Sequence, residues 1–211
     1  MKLSISFLSV KNNIKENIKK IEQTNCDYIH IDIMDGKFVP NTSFSYDDVK
    51  NYIDGINLKK DVHLMVEDVR SYIDNYKNIK PDIITFHIEA TRNVDEMIKY
   101  IKSLGIKVGL SIKPDTSIDT LYPYLNDIDL VLIMSVEPGK GGQTFIDSSK
   151  DKIDELYNLR KLNNYNYQIE VDGGINDITK NKCSNADIIV VGSYITNSND
   201  YQAQANKILD Y

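Results

Sequence analysis

The chain has 211 residues, of which 41% are apolar and 27% are charged, a composition typical of a folded globular protein rather than a disordered or fibrous one. Its formal net charge of −6 argues against nucleic acid or an anionic membrane as a partner, because both need a basic surface. The longest apolar runs, such as Ile188–Val191, are far shorter than the roughly 20 residues of a membrane-spanning helix.

Residue patterns typical of strands and helices alternate along the whole chain. Alternating or continuous apolar runs predict eight strands, at Lys2–Leu8, Tyr28–Met34, Val62–Val66, Ile83–Ile88, Lys107–Ile112, Leu130–Met134, Tyr167–Val171 and Ile188–Val191. Amphipathic stretches predict a helix after each strand, at Ile14–Ile21, Tyr46–Ile53, Val69–Tyr76, Val94–Leu104, Ile118–Leu125, Ile153–Leu162, Ile178–Cys183 and Tyr201–Leu209.

Eight consecutive strand–helix units predict a parallel sheet with right-handed crossovers. In a chain of this length they favour one α/β domain over residues 1–211, a single (β/α)8 TIM barrel. A doubly wound open sheet is the alternative. No Gly-x-Gly-x-x-Gly motif follows the first strand, and its absence disfavours a dinucleotide-binding fold.

Two features bear on the location of the protein. Cys26 and Cys183 are interpreted as reduced structural thiols, because a chain with a full core needs no disulfide; a single disulfide is the alternative. Serines that alternate with Leu and Ile in Lys2–Leu8 favour a strand over a signal peptide. We therefore expect a cytoplasmic protein.

Histidine and aspartate collect where a barrel of this kind carries its active site, at the carboxyl ends of the strands. His30 and Asp32 lie two apart on the second strand and share a face, His63 lies on the third strand, and Asp172 ends the seventh. Two imidazoles and two carboxylates predict a divalent metal site of the zinc type. The alternative is that each histidine is a hydrogen-bonded core residue, and for His87 hydrogen bonding is the expected role.

Asp32 and Asp172 also suit acid–base chemistry, because they lie on opposite sides of the predicted barrel mouth. One carboxylate can remove a proton while the other donates one on the opposite face of a bound molecule. A metal ion would polarise a substrate carbonyl and stabilise the resulting enediolate. Structural ion pairs are the alternative role, but few cations are near in sequence.

Glycine is concentrated in the loops after the last three strands, where TIM barrels commonly bind phosphate through backbone N–H groups. The residues expected to hold a phosphate group are Gly139, Gly141, Gly142, Gly173, Gly174 and Gly192. Lys140 either adds a positive charge there or is a solvated loop residue.

Three methionines follow three different strands towards the same mouth. Met34, Met65 and Met134 are either ordinary core residues or an apolar cap that limits water around an enediolate.

The motifs of the chain resemble those of the ribulose-phosphate 3-epimerase family. The matching segments cover nearly the whole chain in the right order: His30–Asn41, Asp61–Val66, Phe86–Ala90, Lys107–Pro114, Met134–Gln143, Glu170–Ile175 and Val191–Ser193. The chain departs from the family pattern at Ile5, Lys140 and Tyr194, none of which belongs to the metal or acid–base set.

This resemblance implies a (β/α)8 barrel of the ribulose-phosphate-binding type that interconverts D-ribulose 5-phosphate and D-xylulose 5-phosphate at C3. It implies one divalent ion, zinc, iron or manganese with zinc favoured, held by His30, Asp32, His63 and Asp172. It implies Asp32 as proton acceptor and Asp172 as proton donor, and a homo-oligomer, dimer or hexamer. The implied substrate contacts are Ser6, His63, Gly139, Lys140, Gly141, Gly142, Asp172, Gly173, Gly174, Gly192 and Ser193.

Three other functions remain open at the level of sequence. The first is a 3-epimerase of a related ketose phosphate such as D-allulose 6-phosphate. The second is a decarboxylase related to orotidine-phosphate decarboxylase, but Val62–Asp68 lacks the lysine of the D-x-K-x-x-D motif. The third is a non-catalytic phosphosugar-binding barrel, against which the intact metal and acid–base set argues.

Overall fold

The computed structural model of the chain describes residues 1–209, and in it eight parallel strands follow one another around a closed barrel in chain order. The strands are β1 (Lys2–Ser6), β2 (Tyr28–Met34), β3 (Lys59–Met65), β4 (Ile83–His87), β5 (Lys107–Ile112), β6 (Leu130–Met134), β7 (Gln168–Asp172) and β8 (Ile188–Val191). Strand β8 pairs with β1 and closes the ring. The predicted TIM barrel is confirmed.

The outer layer is formed by α-helices and short 3₁₀ helices. The α-helices are α1 (Ile14–Glu22), α2 (Tyr46–Tyr52), α3 (Val69–Tyr76), α4 (Val94–Ser103), α5 (Ser149–Asn163), α6 (Ser193–Thr196) and α7 (Tyr201–Leu209). The 3₁₀ helices are Lys77–Ile79, Ile88–Ala90, Ile118–Tyr124 and Thr179–Cys183. Among residues 1–209, no helix combines the length and the apolar character needed to cross a bilayer.

The structure corrects several predicted boundaries. Strand β1 ends at Ser6 rather than Leu8, because the Leu8 N–H turns back to the Ser6 hydroxyl at 3.2 Å. Strand β3 begins at Lys59 rather than Val62, since it pairs with β2 over seven positions. The element after β5 is a 3₁₀ helix, and Pro123 within it lacks the N–H that an α-helix would use.

The two faces of the strands carry different residues because side chains alternate along a strand. On β2, Ile29, Ile31 and Ile33 are buried in the apolar core shared by the outer faces of the strands and the helices. The inner face is mixed. Its buried polar side chains include Ser4, Ser6, His30, Asp32, Asp61, His63, Thr85, His87, Ser111 and Glu170, whereas Tyr28, Ile83, Leu130, Leu132, Met134 and Ile188 form an apolar cluster. The barrel therefore has a polar region inside it, beneath the mouth.

Candidate active site

The four residues predicted to bind a metal meet at the carboxyl ends of the strands. His30 Nε2 lies 3.4 Å from Asp32 Oδ1 and 4.0 Å from Asp172 Oδ2. His63 Nδ1 lies 3.3 Å from Asp32 Oδ1 and 3.9 Å from Asp172 Oδ2. One potential ligand atom from each residue lies within 4.8 Å of the other three.

The strand register explains this convergence. Asp32 is directly opposite His63 in the β2–β3 pair, and His30 lies two residues earlier on the same inward face. Asp172 is the last residue of β7 and reaches the group from the far side of the barrel mouth. Three strands thus fix the positions of four side chains without any contribution from a flexible loop.

This donor set fits a divalent cation. Two imidazole nitrogens and two carboxylate oxygens are the ligand types that zinc, iron and manganese accept. His30 Nε2 is buried and makes no hydrogen bond of acceptable geometry within residues 1–209. A buried polar atom without a partner is costly, and its position beside two carboxylates fits the role of a metal ligand.

The two carboxylates have opposite pKa shifts. Burial opposes ionisation of Asp32, but His30 and His63 lower the pKa of Asp32 below its usual range. Burial and the adjacent Asp32 charge raise the pKa of Asp172 to about 6. Two carboxyl groups at one site, one kept ionised and one able to carry a proton near neutral pH, have the properties of a base and an acid.

His87 lies next to His63 and makes hydrogen bonds, which is the role expected for it from the sequence. His63 Nε2 lies 2.9 Å from His87 Nε2, and His87 Nδ1 lies 3.2 Å from Glu89 Oε2. Burial lowers the pKa of His87 to about 4, so the ring is neutral at pH 7. It can then accept from His63 Nε2–H and donate to Glu89, which leaves His63 Nδ1 facing Asp32 and Asp172.

The structure contains a second cluster of buried polar side chains, which was not identified from the sequence. Asp61 Oδ2 lies 2.6 Å from His30 Nδ1 and accepts a hydrogen bond from Ser4 Oγ at 3.0 Å. Glu170 lies beside them, with a ligand atom within 4.8 Å of those of His30 and Asp61. The signal was present, because Asp61 and Glu170 each precede a proposed metal ligand by two residues and therefore share its inward face.

A cavity of about 290 Å³ opens above the four predicted ligands. Its lining includes all the predicted phosphate-binding glycines, Gly139, Gly141, Gly142, Gly173, Gly174 and Gly192, with Ser193 and Lys140. Gly174 has a φ of +64°, and a Cβ atom there would lie 2.4 Å from the Phe145 nitrogen. Within residues 1–209, the N–H groups of Gly142 and Gly174 donate to no protein group.

The remaining predicted site residues have distinct positions. Ser6 Oγ donates to Asp32 Oδ2 at 2.6 Å, so this hydroxyl fixes the orientation of that carboxylate. Met34, Met65 and Met134 all line the cavity. Met34 and Met65 pack together in one apolar cluster, whereas Met134 packs with the apolar residues inside the barrel.

The loop after β2 packs against residues that line the cavity, and the sequence did not reveal this contact. Phe38 and Val39 pack with Met34 and Met65. Asn41 Nδ2 donates to the Gly139 carbonyl at 2.9 Å and joins this loop to the glycine-rich loop after β6. The contact links positions 98 residues apart, and no local sequence pattern encodes such a pairing.

Fold and site together define a class of protein: a TIM barrel with a histidine–carboxylate centre and glycine-rich loops at its mouth. A profile of the ribulose-phosphate 3 epimerase family matches residues 2–196. The chain belongs to the ribulose-phosphate 3-epimerase family, the family its motifs predict, and it is therefore an enzyme of the isomerase class.

Individual relatives agree with this assignment. A ribulose-phosphate 3-epimerase of Methanocaldococcus jannaschii is 37% identical over 211 residues, covering 99% of this chain and 89% of its own. That of Buchnera aphidicola subsp. Schizaphis graminum is 37% identical over 198 residues, covering 92% of this chain and 86% of its own. Among solved structures, KGPDC from Streptococcus mutans superimposes with a TM-score of 0.73 at 15% identity, covering 99% of this chain and 95% of its own. That likeness shows the shared fold.

The pKa of Asp172 can be tested directly in the metal-free protein. Carbon-13 NMR of labelled aspartate should show Asp172 titrating near pH 6. The Asp32→Asn substitution removes the neighbouring negative charge, so the midpoint should fall while remaining above 3.8, because burial persists. Asp35 is the internal control: three backbone N–H donors hold its pKa below the usual range in both proteins. A titration midpoint near pH 4 for Asp172 in the wild type would contradict the raised pKa of this carboxyl group.

Proposed function

We propose that the protein is a metal-dependent epimerase that interconverts D-ribulose 5-phosphate and D-xylulose 5-phosphate at C3. The observation that carries the proposal is the pair Asp32 and Asp172, which share one site but have opposite pKa shifts. An epimerase that inverts a carbon next to a carbonyl needs a proton acceptor on one face and a proton donor on the other.

In this mechanism the substrate lies between the two carboxylates. The C2 carbonyl makes the C3 hydrogen acidic, and the ionised Asp32 removes it as a proton. Asp172 returns a proton to the opposite face of C3, and the roles exchange in the reverse direction. Ser6 keeps Asp32 oriented through its 2.6 Å hydrogen bond. A divalent ion held by His30, Asp32, His63 and Asp172 would supply positive charge for the developing enediolate oxygen.

The loops after β6, β7 and β8 are proposed to hold the phosphate. Gly142 and Gly174, whose N–H groups donate to no protein group within residues 1–209, line the cavity, as do Gly192 and Ser193. Backbone N–H groups converging on one point bind anions without a cationic side chain. This agrees with the acidic net charge of the chain, and the exposed Lys140 would add one positive charge at the rim of the cavity.

The three methionines at the mouth are proposed to form an apolar cap over the reacting carbons. Met34, Met65 and Met134 line the cavity beside Asp32 and Asp172, and all three are buried. Apolar side chains around an enediolate exclude water that would otherwise protonate it at random.

Further properties belong to the same proposal. Zinc is the favoured ion, because the donor set contains two imidazoles. Residues 1–211 would form one catalytic domain, and the subunits would assemble as a dimer or hexamer, as the family resemblance implies. A cytoplasmic location agrees with Cys26 and Cys183, which are buried and unpaired.

Substitution of the proton donor tests the mechanism. Asp172→Asn should lower kcat by about 10²–10⁴-fold, the usual contribution of a general acid or base, with the fold retained by circular dichroism. Asp147→Asn is the matched control, since Asp147 is an exposed residue whose ion-pair partner is Lys182. Rates should be compared for D-ribulose 5-phosphate and D-allulose 6-phosphate. Near-normal turnover by Asp172→Asn would refute the mechanism. A higher rate of the wild type with D-allulose 6-phosphate would identify the hexulose phosphate, rather than the pentulose phosphate, as the substrate.

Metal removal gives a second test. Dialysis against a chelator should abolish epimerisation, and one equivalent of zinc, iron or manganese should restore it, because His30 and His63 are placed as ligands. Activity and metal content by elemental analysis should rise together. Full activity in protein shown to be metal-free would remove both histidines from the proposed ligand set.

The phosphate site can be tested by adding one methyl group. Gly174→Ala places a Cβ atom against the loop after β6, at a φ of +64°. Gly55 has a similar φ of +77°, but a Cβ atom built there would have no other atom within 4 Å. Gly55→Ala therefore carries the strain of a positive φ without the steric clash of Gly174→Ala. We expect KM for the phosphosugar to rise about tenfold for Gly174→Ala, the loss of one good hydrogen bond, and to stay unchanged for Gly55→Ala. Equal KM values would exclude this loop from phosphate binding.

A further inference from the structure

Asp61 and Glu170 lie inside the barrel, beneath the proposed metal site, where the mechanism gives them no role. His30 and Asp61 are essentially inaccessible to solvent, at 0% and 1% exposure, and Glu170 is at 0%. An acidic pair in the centre of a barrel is costly unless other groups compensate for it. The contacts of Asp61 show what compensates.

The cluster is not suited to a second metal ion. Its ligand atoms lie within 4.8 Å of one another. However, Asp61 Oδ2 and His30 Nδ1 are only 2.6 Å apart, a hydrogen-bond distance. Ligands of a tetrahedral zinc ion, each about 2 Å from the metal, would be about 3.3 Å apart. The two groups are bonded to each other and leave no room for a cation.

The hydrogen bond between Asp61 and His30 determines which ring nitrogen is available to a metal. A carboxylate can only accept, so His30 Nδ1 must carry the hydrogen. In the neutral ring Nε2 then presents its lone pair, and Nε2 is the atom that lies beside Asp32 and Asp172. Asp61 therefore both orients the ring and selects the tautomer that can bind a metal.

A hydroxyl group also holds Asp61 in place. Ser4 Oγ donates to the same Oδ2 atom at 3.0 Å. The other oxygen, Oδ1, and both oxygens of Glu170 find no hydrogen-bond donor among residues 1–209. Glu170 lies beside this carboxylate, with a ligand atom within 4.8 Å of those of Asp61 and His30. Ser4 and Asp61 thus form a continuous support that ends on His30.

We propose that Asp61 is a positioning residue for the metal centre: held by Ser4, it fixes His30 with Nε2 facing the mouth. The inference rests on the proposed function, because it assigns Asp61 to the same site. Carboxylates hydrogen-bonded to metal-binding histidines typically contribute about 10–100-fold to metal affinity.

The test measures Zn²⁺ affinity by competition with a chromogenic chelator, in the absence of any sugar. Asp61→Asn should weaken Zn²⁺ binding by about 10–100-fold. Thr85→Val is the matched control, since Thr85 is an equally buried inner-face residue whose hydroxyl has no hydrogen-bond partner within the described chain. Equal Zn²⁺ affinity of wild type and Asp61→Asn would overturn the proposal.

A measurement on the wild type covers the case in which Asp61→Asn does not fold. Nitrogen-15 NMR of Zn²⁺-loaded protein should show the His30 hydrogen on Nδ1 and the metal on Nε2. The reverse arrangement, or a hydrogen on Nδ1 that exchanges freely with solvent, would overturn the role of Asp61.

The outcomes also separate this inference from the proposed function. A wild type that binds Zn²⁺ but does not epimerise phosphosugars would refute the proposed activity, while the Asp61 comparison remains valid. A wild type that epimerises, with Asp61→Asn binding Zn²⁺ equally well, would refute the positioning role alone.

Discussion

The placement of Asp32 and Asp172 at one barrel mouth is the constraint on which the rest of the site depends. Their carboxylates and the imidazoles of His30 and His63 place four ligand atoms within 4.8 Å. Two negative charges this close repel each other, so the group is stable only if a proton or a cation is shared among them. The opposite pKa shifts of the two aspartates follow from this crowding. Acid–base asymmetry and metal affinity are thus two consequences of one arrangement.

The barrel interior is organised to hold this crowded group in a fixed geometry. Each imidazole is supported through the ring nitrogen that does not face Asp32 and Asp172, His30 by Asp61 and His63 by His87. The chain of contacts behind His87 ends at Glu89, which accepts from the Lys113 N–H and so reaches the backbone after β5. On the other side, the apolar cluster around β6 and β8 fills the interior. Rigid support of this kind preorganises the site, so little reorganisation is needed when charge develops.

Much of this could be predicted because it depends on local periodicity. Eight strand–helix units fix the fold class, and the two-residue spacing of His30 and Asp32 places both on one face. The position of Asp172 followed from the rule that active sites lie at the carboxyl ends of barrel strands. The glycine-rich loops could be found because left-handed backbone at positions such as Gly174 favours glycine.

Other features could not be predicted because they depend on contacts between distant segments. The apolar packing of Phe38 and Val39 on Met34 and Met65, and the Asn41 bond to Gly139, bring together segments distant in sequence. The inward positions of Asp61 and Glu170 were readable from alternation, but their pairing across strands β3 and β7 was not. The short helix predicted after β5 is a 3₁₀ helix, in which Pro123 cannot supply an N–H.

The central claim is that Asp32 and Asp172 act on opposite faces of the same carbon. Its most direct test follows the C3 hydrogen by NMR in deuterated water, using variants that retain only one of the two groups. With Asp172→Asn, D-ribulose 5-phosphate should exchange its C3 hydrogen for deuterium much faster than it is converted to D-xylulose 5-phosphate; with Asp32→Asn, only D-xylulose 5-phosphate should exchange faster than it is converted. Rapid exchange of both epimers by either variant, or exchange no faster than epimerisation, would contradict the two-face mechanism.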